Sequence, residues 1–412
     1  MQTDLADYIR GTPQGDEAES ILRKCVHCGF CTATCPTYQL LGDELDGPRG
    51  RIYLIKQVLE GAEPTQRTQL HLDRCLTCRS CETTCPSGVR YGRLADIGRG
   101  IVEAKVARPW HERIKRRAIA AVVPNRRLFG SLVRSGRWLR PMLPARWRAA
   151  VPAHAAPPGP WPPARHARRM LVLAGCAQPA LAPQINAAAA RLLDRLGISL
   201  VEAPRAGCCG ALRFHLNYHD EGLDDMRRLI DAWWPYVEQG IEAIVMTASG
   251  CGITVKDYET LLAHDPAYRD KAAKVSALTR DLTEVLAEAS DGASLPWRPR
   301  AREVHAAFHL PCTLQHGQRL GALAERLVRS AGFRLSPVQD AHMCCGSAGS
   351  YSLLHPDISQ QLRAKKLAHL QASGPEVILT ANIGCLHHLA AGTPVPVEHW
   401  AVAVERQITA SA

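Results

Sequence analysis

Long apolar runs are missing from this chain. None of its 412 residues falls in a stretch approaching the roughly 18 uninterrupted apolar residues that a spanning helix needs, so no membrane span is expected. The N-terminal MQTDLADYIR is acidic and amphipathic. It lacks the charged head and apolar run of a secretory signal, and the expectation is a cytoplasmic protein. Nucleotide and nucleophile signatures are also missing. There is no P-loop, no G-x-G-x-x-G behind a strand and no Ser-centred elbow. A chain without a flavin or nicotinamide site does not easily take hydride from a substrate by itself.

Acidic residues are scarce in one place. Between Lys105 and Arg169 sixteen Lys and Arg accompany a single acid, Glu112, so this segment carries about +15 while the whole chain carries +11. Tryptophans stand in it at 110, 138, 147 and 161. Cations interleaved with Trp suit an anionic lipid surface or a docking partner, and a solvated linker is the plain alternative. Nothing else resembles a nucleic-acid module, so no nucleic acid is expected. The stretch VPAHAAPPGPWPPARHARR excludes regular structure, because its prolines remove donors and fix φ. Residues 108–168 are therefore read as a basic linker rich in Pro, Arg and Trp, partly extended.

Cysteine, by contrast, is abundant. Sixteen cysteines in a reducing compartment point to metal rather than to structural disulfides. Eight lie in two phrases of one spacing, CVHCGFCTATCP at 25–36 and CLTCRSCETTCP at 75–86. Two-residue gaps let three thiolates curl around one cubane cluster, while the fourth, behind its longer gap and before a proline, serves the neighbour. This is the spacing and crossover known for bacterial two-cluster ferredoxins. It assigns Cys25, Cys28, Cys31 and Cys85 to one [4Fe–4S] cluster and Cys75, Cys78, Cys81 and Cys35 to the other. Structural zinc would need only two CxxC pairs and no Cys-Pro ending. Each fourth cysteine is expected to open a new helix. Helices are also expected over 51–61 and about 93–107.

From residue 169 the pattern is β-α-β-α-β, twice, which implies parallel sheets. Strands RRMLVLAGC, ISLVEAP and EAIVMTASGC lead to Cys176, the pair Cys208 and Cys209, and Cys251. Strands EVHAAFHLPC, FRLSPV and EVILTANIGC lead to Cys312, the pair Cys344 and Cys345, and Cys385. The first-to-second spacing is 32 residues in both copies, which marks an internal duplication with a period near 136. Side chains beyond the carboxyl ends of parallel strands converge, so each copy should gather four thiols. Further iron–sulfur or other metal ligation, buried free thiols and a strained vicinal disulfide all stay open for these eight. His316, His342, His387 and His388 lie near them in sequence and are read as hydrogen-bond partners or surface bases rather than ligands. The resulting fold class is a multidomain α plus α/β chain. A mainly helical two-cluster ferredoxin-type domain (1–107) and the linker (108–168) precede two α/β repeats with parallel sheets (169–300 and 301–412).

Cys-Cys-Gly twice in α/β repeats behind a two-cluster module resembles the iron–sulfur subunits of flavin-dependent 2-hydroxy-acid and glycerol-phosphate dehydrogenases, with heterodisulfide reductase subunits as relatives. The segments CVHCGFCTATCPTYQLLGDELDGPRGRIYLIKQVLEG, LDRCLTCRSCETTCPSGVRYGRL, GCAQPALAPQINAAAARLLDRLGI, TASGCG, PCTLQH, CCGSAGSYSLLHPD and TANIGC are most similar to the glycolate oxidase (glycolate dehydrogenase) branch. The resemblance implies a chain that carries electrons and has no catalytic residue of its own. An FAD-binding dehydrogenase subunit would oxidise glycolate to glyoxylate. A quinone or other membrane-bound acceptor would receive the electrons, with peripheral contact at the inner face of the cytoplasmic membrane. Glycerol-3-phosphate or lactate complexes are the alternative, as is a heterodisulfide-reductase-like thiol enzyme. Those reductases carry a further CxxC cysteine in each repeat, whereas here Thr254 and His388 stand in its place.

Overall fold

The computed structural model of the chain describes residues 1–142, 144, 155–290, 297 and 299–408. Trp147 and the start of the proline-rich stretch, residues 151–154, lie outside the described residues.

The N-terminal region is helical. Helices Pro13–Lys24, Pro48–Leu59 and Tyr91–Lys105 bury Leu22, Ile55, Leu59 and Leu94 in one core. Each such side chain, fully removed from water, contributes about 1.5–3 kcal/mol. Gly98 lets two of these helices touch, because a Cβ there would sit 2.6 Å from Ile55 Cγ1. The helices expected over 51–61 and 93–107 are the second and third of these.

Each repeat forms a four-stranded parallel sheet. In the first, β1 (Arg168–Val172), β2 (Ile198–Glu202), β3 (Ile244–Met246) and β4 (Thr279–Asp281) lie in the order β2-β1-β3-β4. In the second, β5 (Val304–His309), β6 (Phe333–Leu335), β7 (Val377–Thr380) and β8 (Val397–His399) repeat that order. The strands leading into Cys251 and Cys385 are shorter than their apolar text suggested. Both stop early, and helices Ser249–Lys256 and Ile383–Ala390 carry the two cysteines. The fourth strands were not anticipated from sequence, since three residues are too few for a readable period.

Each fourth strand feeds a closing helix, Leu282–Glu288 in the first repeat and Trp400–Gln407 in the second. Each closing helix packs on the first long helix of the other repeat: Leu282–Glu288 on Gly321–Ser330, and Trp400–Gln407 on Gln184–Asp194. Met170, Val245, Leu282, Phe308, Leu327, Leu379 and Trp400 consequently belong to one core. Arg191 ties the exchange at its edge with a 3.0 Å contact to Glu405. The two repeats have separate sheets and a shared interior.

The basic segment corrects the linker reading. Helices Trp110–Val122 and Arg126–Leu139 occupy much of it. Arg108 and Arg116 are buried against Asp73, at 2.6 and 3.2 Å. Arg117 pairs with Glu221, Arg213 donates to the Ala120 carbonyl, and Lys115 donates to the Leu353 carbonyl. The first helix thus fastens the N-terminal region to both repeats. Lys115, Arg116 and Arg117 find partners within the chain, which a reading of net charge cannot detect.

Candidate metal centres

Both cysteine runs open with one backbone device. His27 and Gly29 in the first, and Thr77 and Arg79 in the second, take positive φ of 55°, 83°, 51° and 59°. Left-handed residues at these two positions curl the chain so that successive thiols turn inward. Three of the four are not glycine, and a non-glycine residue held there stores about 1–3 kcal/mol of strain. Cys35 precedes helix Pro36–Leu41, with the proline at its first turn. Cys85 departs from the expectation. It ends helix Ser80–Thr84 and is followed by a turn, and the next helix begins only at Tyr91.

Cys25, Cys28, Cys31 and Cys85 line one small cavity together with Cys81. Cys35 lies within electrostatic reach of Cys78 and Cys81, which also face Cys75. The surroundings of the two groups differ. Burial, then the neighbouring Cys25, pushes the Cys31 thiol up to about 11. Burial would likewise raise Cys75, yet the Arg51 and Arg99 guanidiniums pull it below its usual value. Arg51 is fully buried. It donates to the His71 carbonyl at 2.7 Å and to Thr37 Oγ1 at 3.1 Å, and its charge partner Asp46 lies 3.5 Å away. Asp46 is shared with His71 and Arg74. Arg99, also buried, donates to the carbonyls of Leu72 and Cys75. Buried guanidiniums cost several kcal/mol to desolvate. An excess of them beside Cys35 and Cys75 fits an anionic group such as a thiolate-ligated iron–sulfur cluster.

The repeats bring their own thiols together. All sixteen cysteines are free. In the first repeat contacts run from Cys176 to Cys208, to Cys209, to Cys251. These contacts raise Cys176 and Cys209, with burial adding to them, and depress Cys208. In the second they run from Cys312 to Cys344, to Cys345, to Cys385. The glycine after each adjacent pair, Gly210 at φ 82° and Gly346 at φ 89°, aims two consecutive side chains into the site. The Gly346 amide donates to Cys344 Sγ at 3.4 Å.

One cavity of about 440 Å³ joins these elements. Its wall carries Cys78, all four thiols of the first repeat, and Cys312, Cys344 and Cys385 of the second. Cys78 lies within electrostatic reach of Cys312 and Cys344, so the second cysteine run borders the second repeat's thiols. Tyr351 fixes this arrangement by donating to the Arg74 carbonyl at 3.0 Å, and Thr83 Oγ1 meets His316 Nδ1 at 3.0 Å.

The histidines noted from sequence take supporting positions. His316 also meets the His342 carbonyl at 2.9 Å, His388 contacts Ser359 at 3.3 Å, and His387 lines the cavity. The histidine that reaches the thiols was not among them. His309, the last residue of β5, has a ring nitrogen within 4.8 Å of Cys345 and Cys385 Sγ. Aligning the repeats on Cys176 and Cys312 would have exposed it, since Leu173 holds the same place in the first copy.

Residues 21–89 match the family model of a 4Fe–4S dicluster domain, and residues 170–256 and 306–390 each match that of a cysteine-rich domain. The chain is 56% identical over 408 residues to the glycolate oxidase iron–sulfur subunit of Escherichia coli, covering 99% of both chains. It is 30% identical to a probable glycolate oxidase iron–sulfur subunit of Bacillus subtilis, covering 92% of this chain and 90% of that one. A lactate utilization protein A of Exiguobacterium is 28% identical over 54% of this chain and 91% of its own. A solved structure of a hypothetical protein from Helicobacter pylori has the same fold at a TM-score of 0.55 and 10% identity, covering 98% of this chain and 74% of that one. With a dicluster domain, duplicated cysteine-rich domains and this end-to-end identity, the chain belongs to the family of glycolate oxidase iron–sulfur subunits.

Proposed function

We propose that this chain is the electron-carrying subunit of a glycolate-oxidising complex, taking electrons from an FAD-binding partner and delivering them to a quinone or another membrane acceptor. [4Fe–4S] clusters, when bound, supply one-electron carriers. In this reading Cys25, Cys28, Cys31 and Cys85 hold one and Cys75, Cys78, Cys81 and Cys35 the other. The observation that carries the reading is a stepwise contiguity: Cys81 of the second run lines the first run's cavity, and Cys78 lies within electrostatic reach of Cys312 and Cys344. The chain's own residues have defined tasks. Arg51 and Arg99 stabilise negative charge at Cys75, the core around Tyr91 and Leu94 keeps water from Cys25, Cys75 and Cys81, and the Arg79–Asp257 pair holds the first repeat against the second run.

The test is anaerobic purification of the chain with its flavoprotein partner, iron quantification, and EPR after adding glycolate. At least about eight irons per chain and glycolate-reducible signals are expected, since two [4Fe–4S] clusters account for about eight. Zinc in place of iron would overturn the reading. Cys35→Ser should damage the cluster of Cys75, Cys78 and Cys81, and damage confined to its own run would refute the crossed ligation.

No helix among the described residues is long and apolar enough to cross a membrane. Peripheral contact is the reading we favour for helix Arg126–Leu139, which buries none of its residues and exposes Leu128, Leu132 and Trp138 beside Arg126, Arg127 and Arg134. Replacing Trp138 and these three arginines with Ala should abolish sedimentation with vesicles rich in anionic lipid. Undiminished sedimentation would remove the role.

A further inference from the structure

The duplicated repeats differ at the position three residues before their first cysteine. In the first copy it is Leu173, buried in the apolar core. In the second it is His309, buried to 2% exposure. Neither His309 nitrogen has a hydrogen-bond partner, and a polar group buried without a partner costs about 1–3 kcal/mol. The ring ends within 4.8 Å of both Cys345 and Cys385. Among the described residues, the first repeat has no comparable group of three donors.

A second difference lies on the helix facing the thiols. Lys366 is 2% exposed and donates to the carbonyls of Asp340 and Ala341, at 2.8 and 3.2 Å. No carboxylate pairs with it among the described residues. Burial pushes its ammonium down from its ordinary value, and Cys345, Cys344, then the Asp340 carboxylate and Cys312 are the groups whose negative charge would favour it. The corresponding turn in the first repeat carries Leu229 and Ile230, both apolar and buried. The second repeat thus combines an unpartnered imidazole with a buried amine at a group of four thiols. An anionic group with an electron-deficient centre between them would stabilise the ammonium and give the imidazole a partner. A metal bound by thiolates meets both needs.

We infer that His309 is a nitrogen ligand of an iron–sulfur centre in the second repeat, making that site mixed imidazole and thiolate while the first repeat offers thiols alone. This rests on the reading that the repeat thiols bind metal. Iron–sulfur is chosen over zinc by donor number. A closed zinc site takes four ligands, whereas Cys312, Cys344, Cys345, Cys385 and His309 make five donors, which a centre of several irons accommodates. Imidazole in place of thiolate raises the potential of an iron–sulfur centre. The second repeat, bordering Cys78, would then be an electron sink for the second cysteine run.

The experiment uses the full chain, purified anaerobically and labelled with ¹⁵N-histidine. Expected are more than about eight irons per chain, and a reduced-state EPR signal, beyond those of the N-terminal clusters, with hyperfine coupling to the labelled nitrogen. His309→Leu should remove the coupling. His309→Cys should keep a signal without coupling and move its midpoint to lower potential. The N-terminal signals report that each variant has folded. If either variant loses them, the wild-type coupling decides the assignment. Iron at about eight per chain removes the loaded repeat on which the inference stands. Zinc in the repeat, iron above eight without histidine coupling, or coupling that survives His309→Leu overturns the ligand assignment itself.

Discussion

The two repeats share strand order, cysteine spacing, the left-handed glycine after the cysteine pair and the exchange of closing helices. They diverge in the side chains that face those common elements. Around the first set of thiols stand Leu173, Ile230 and Tyr258, whose hydroxyl donates to the Cys209 carbonyl at 2.8 Å. Around the second stand His309 and Lys366. The caps of the closing helices diverge as well. Asp281 caps one by accepting from the Thr283 amide at 2.9 Å, and His399 caps the other by accepting from the Ala401 amide at 3.3 Å. Backbone geometry places a thiol, so duplication keeps it. Charge and donor type around the thiol are set by single side chains, which can change without disturbing the sheet.

The cysteine runs show the same contrast, and there the largest effect is expected. Arg51→Met should cost about 3–5 kcal/mol, because it strips a buried partner from Asp46, and it should lower the midpoint of the cluster proposed at Cys75. Arg49→Met, at an exposed pair with Glu44 beside the first run, should cost less than about 1 kcal/mol. Thermal unfolding and redox-titrated EPR read both. Equal losses would erase the distinction between the runs.

The glycines test whether the repeats are equivalent as scaffolds. A Cβ at Gly346 would lie 2.5 Å from the Ser359 carbonyl oxygen, and one at Gly210 would lie 2.6 Å from that of Gly222. Adding the left-handed φ, Gly346→Ala and Gly210→Ala should each destabilise by about 3 kcal/mol. A difference of more than about 1 kcal/mol in denaturant titrations, beyond the usual scatter between like sites, would show that the scaffolds are not equivalent.

The caps should respond to pH in opposite directions. Burial raises Asp281 to about 6, so the folded state holds a proton that the unfolded chain has released between about pH 4 and 6. Stability from this group falls as pH rises through that window. Burial lowers His399 to about 4, so the unfolded chain binds the proton first as pH falls below its ordinary value near 6.5. Stability from this group is lost as pH falls toward 4. Each shift corresponds to roughly 3 kcal/mol, and the two oppose each other between about pH 4 and 6. Asp281→Asn should steepen the acid loss of stability and His399→Asn should flatten it. Parallel slopes in the two variants would contradict this. A small effect is also expected from Tyr258→Phe, about 1 kcal/mol for the bond to the Cys209 carbonyl, measured by chemical unfolding, with the metal content of the second repeat unaltered.

Much of this architecture was legible in the chain. The cysteine spacing, the period near 136 and strands β1–β3 and β5–β7 followed from local pattern, because a strand leading to a thiol needs only an apolar run and a turn. Strands β4 and β8 were not legible, since they are short and their closing helices find their apolar partner in the other repeat. The segment 108–168 misled for a related reason. Its cations suggested an external anionic surface or solvent, while Asp73 and Glu221, distant in sequence, receive Arg108, Arg116 and Arg117.

The sequence by itself determined the number and spacing of the thiols. Thiolate number and spacing are properties of the chain, and they alone separate a two-cluster module from a zinc knuckle. Tertiary structure decided which charges and donors surround those thiols. Arg51 and Arg99 meet Cys75, Lys366 approaches Cys344 and Cys345, and His309 meets Cys385 only after helices and strands from separate segments pack. Electrostatic and ligand interactions act over a few ångströms of space, whatever the distance along the chain.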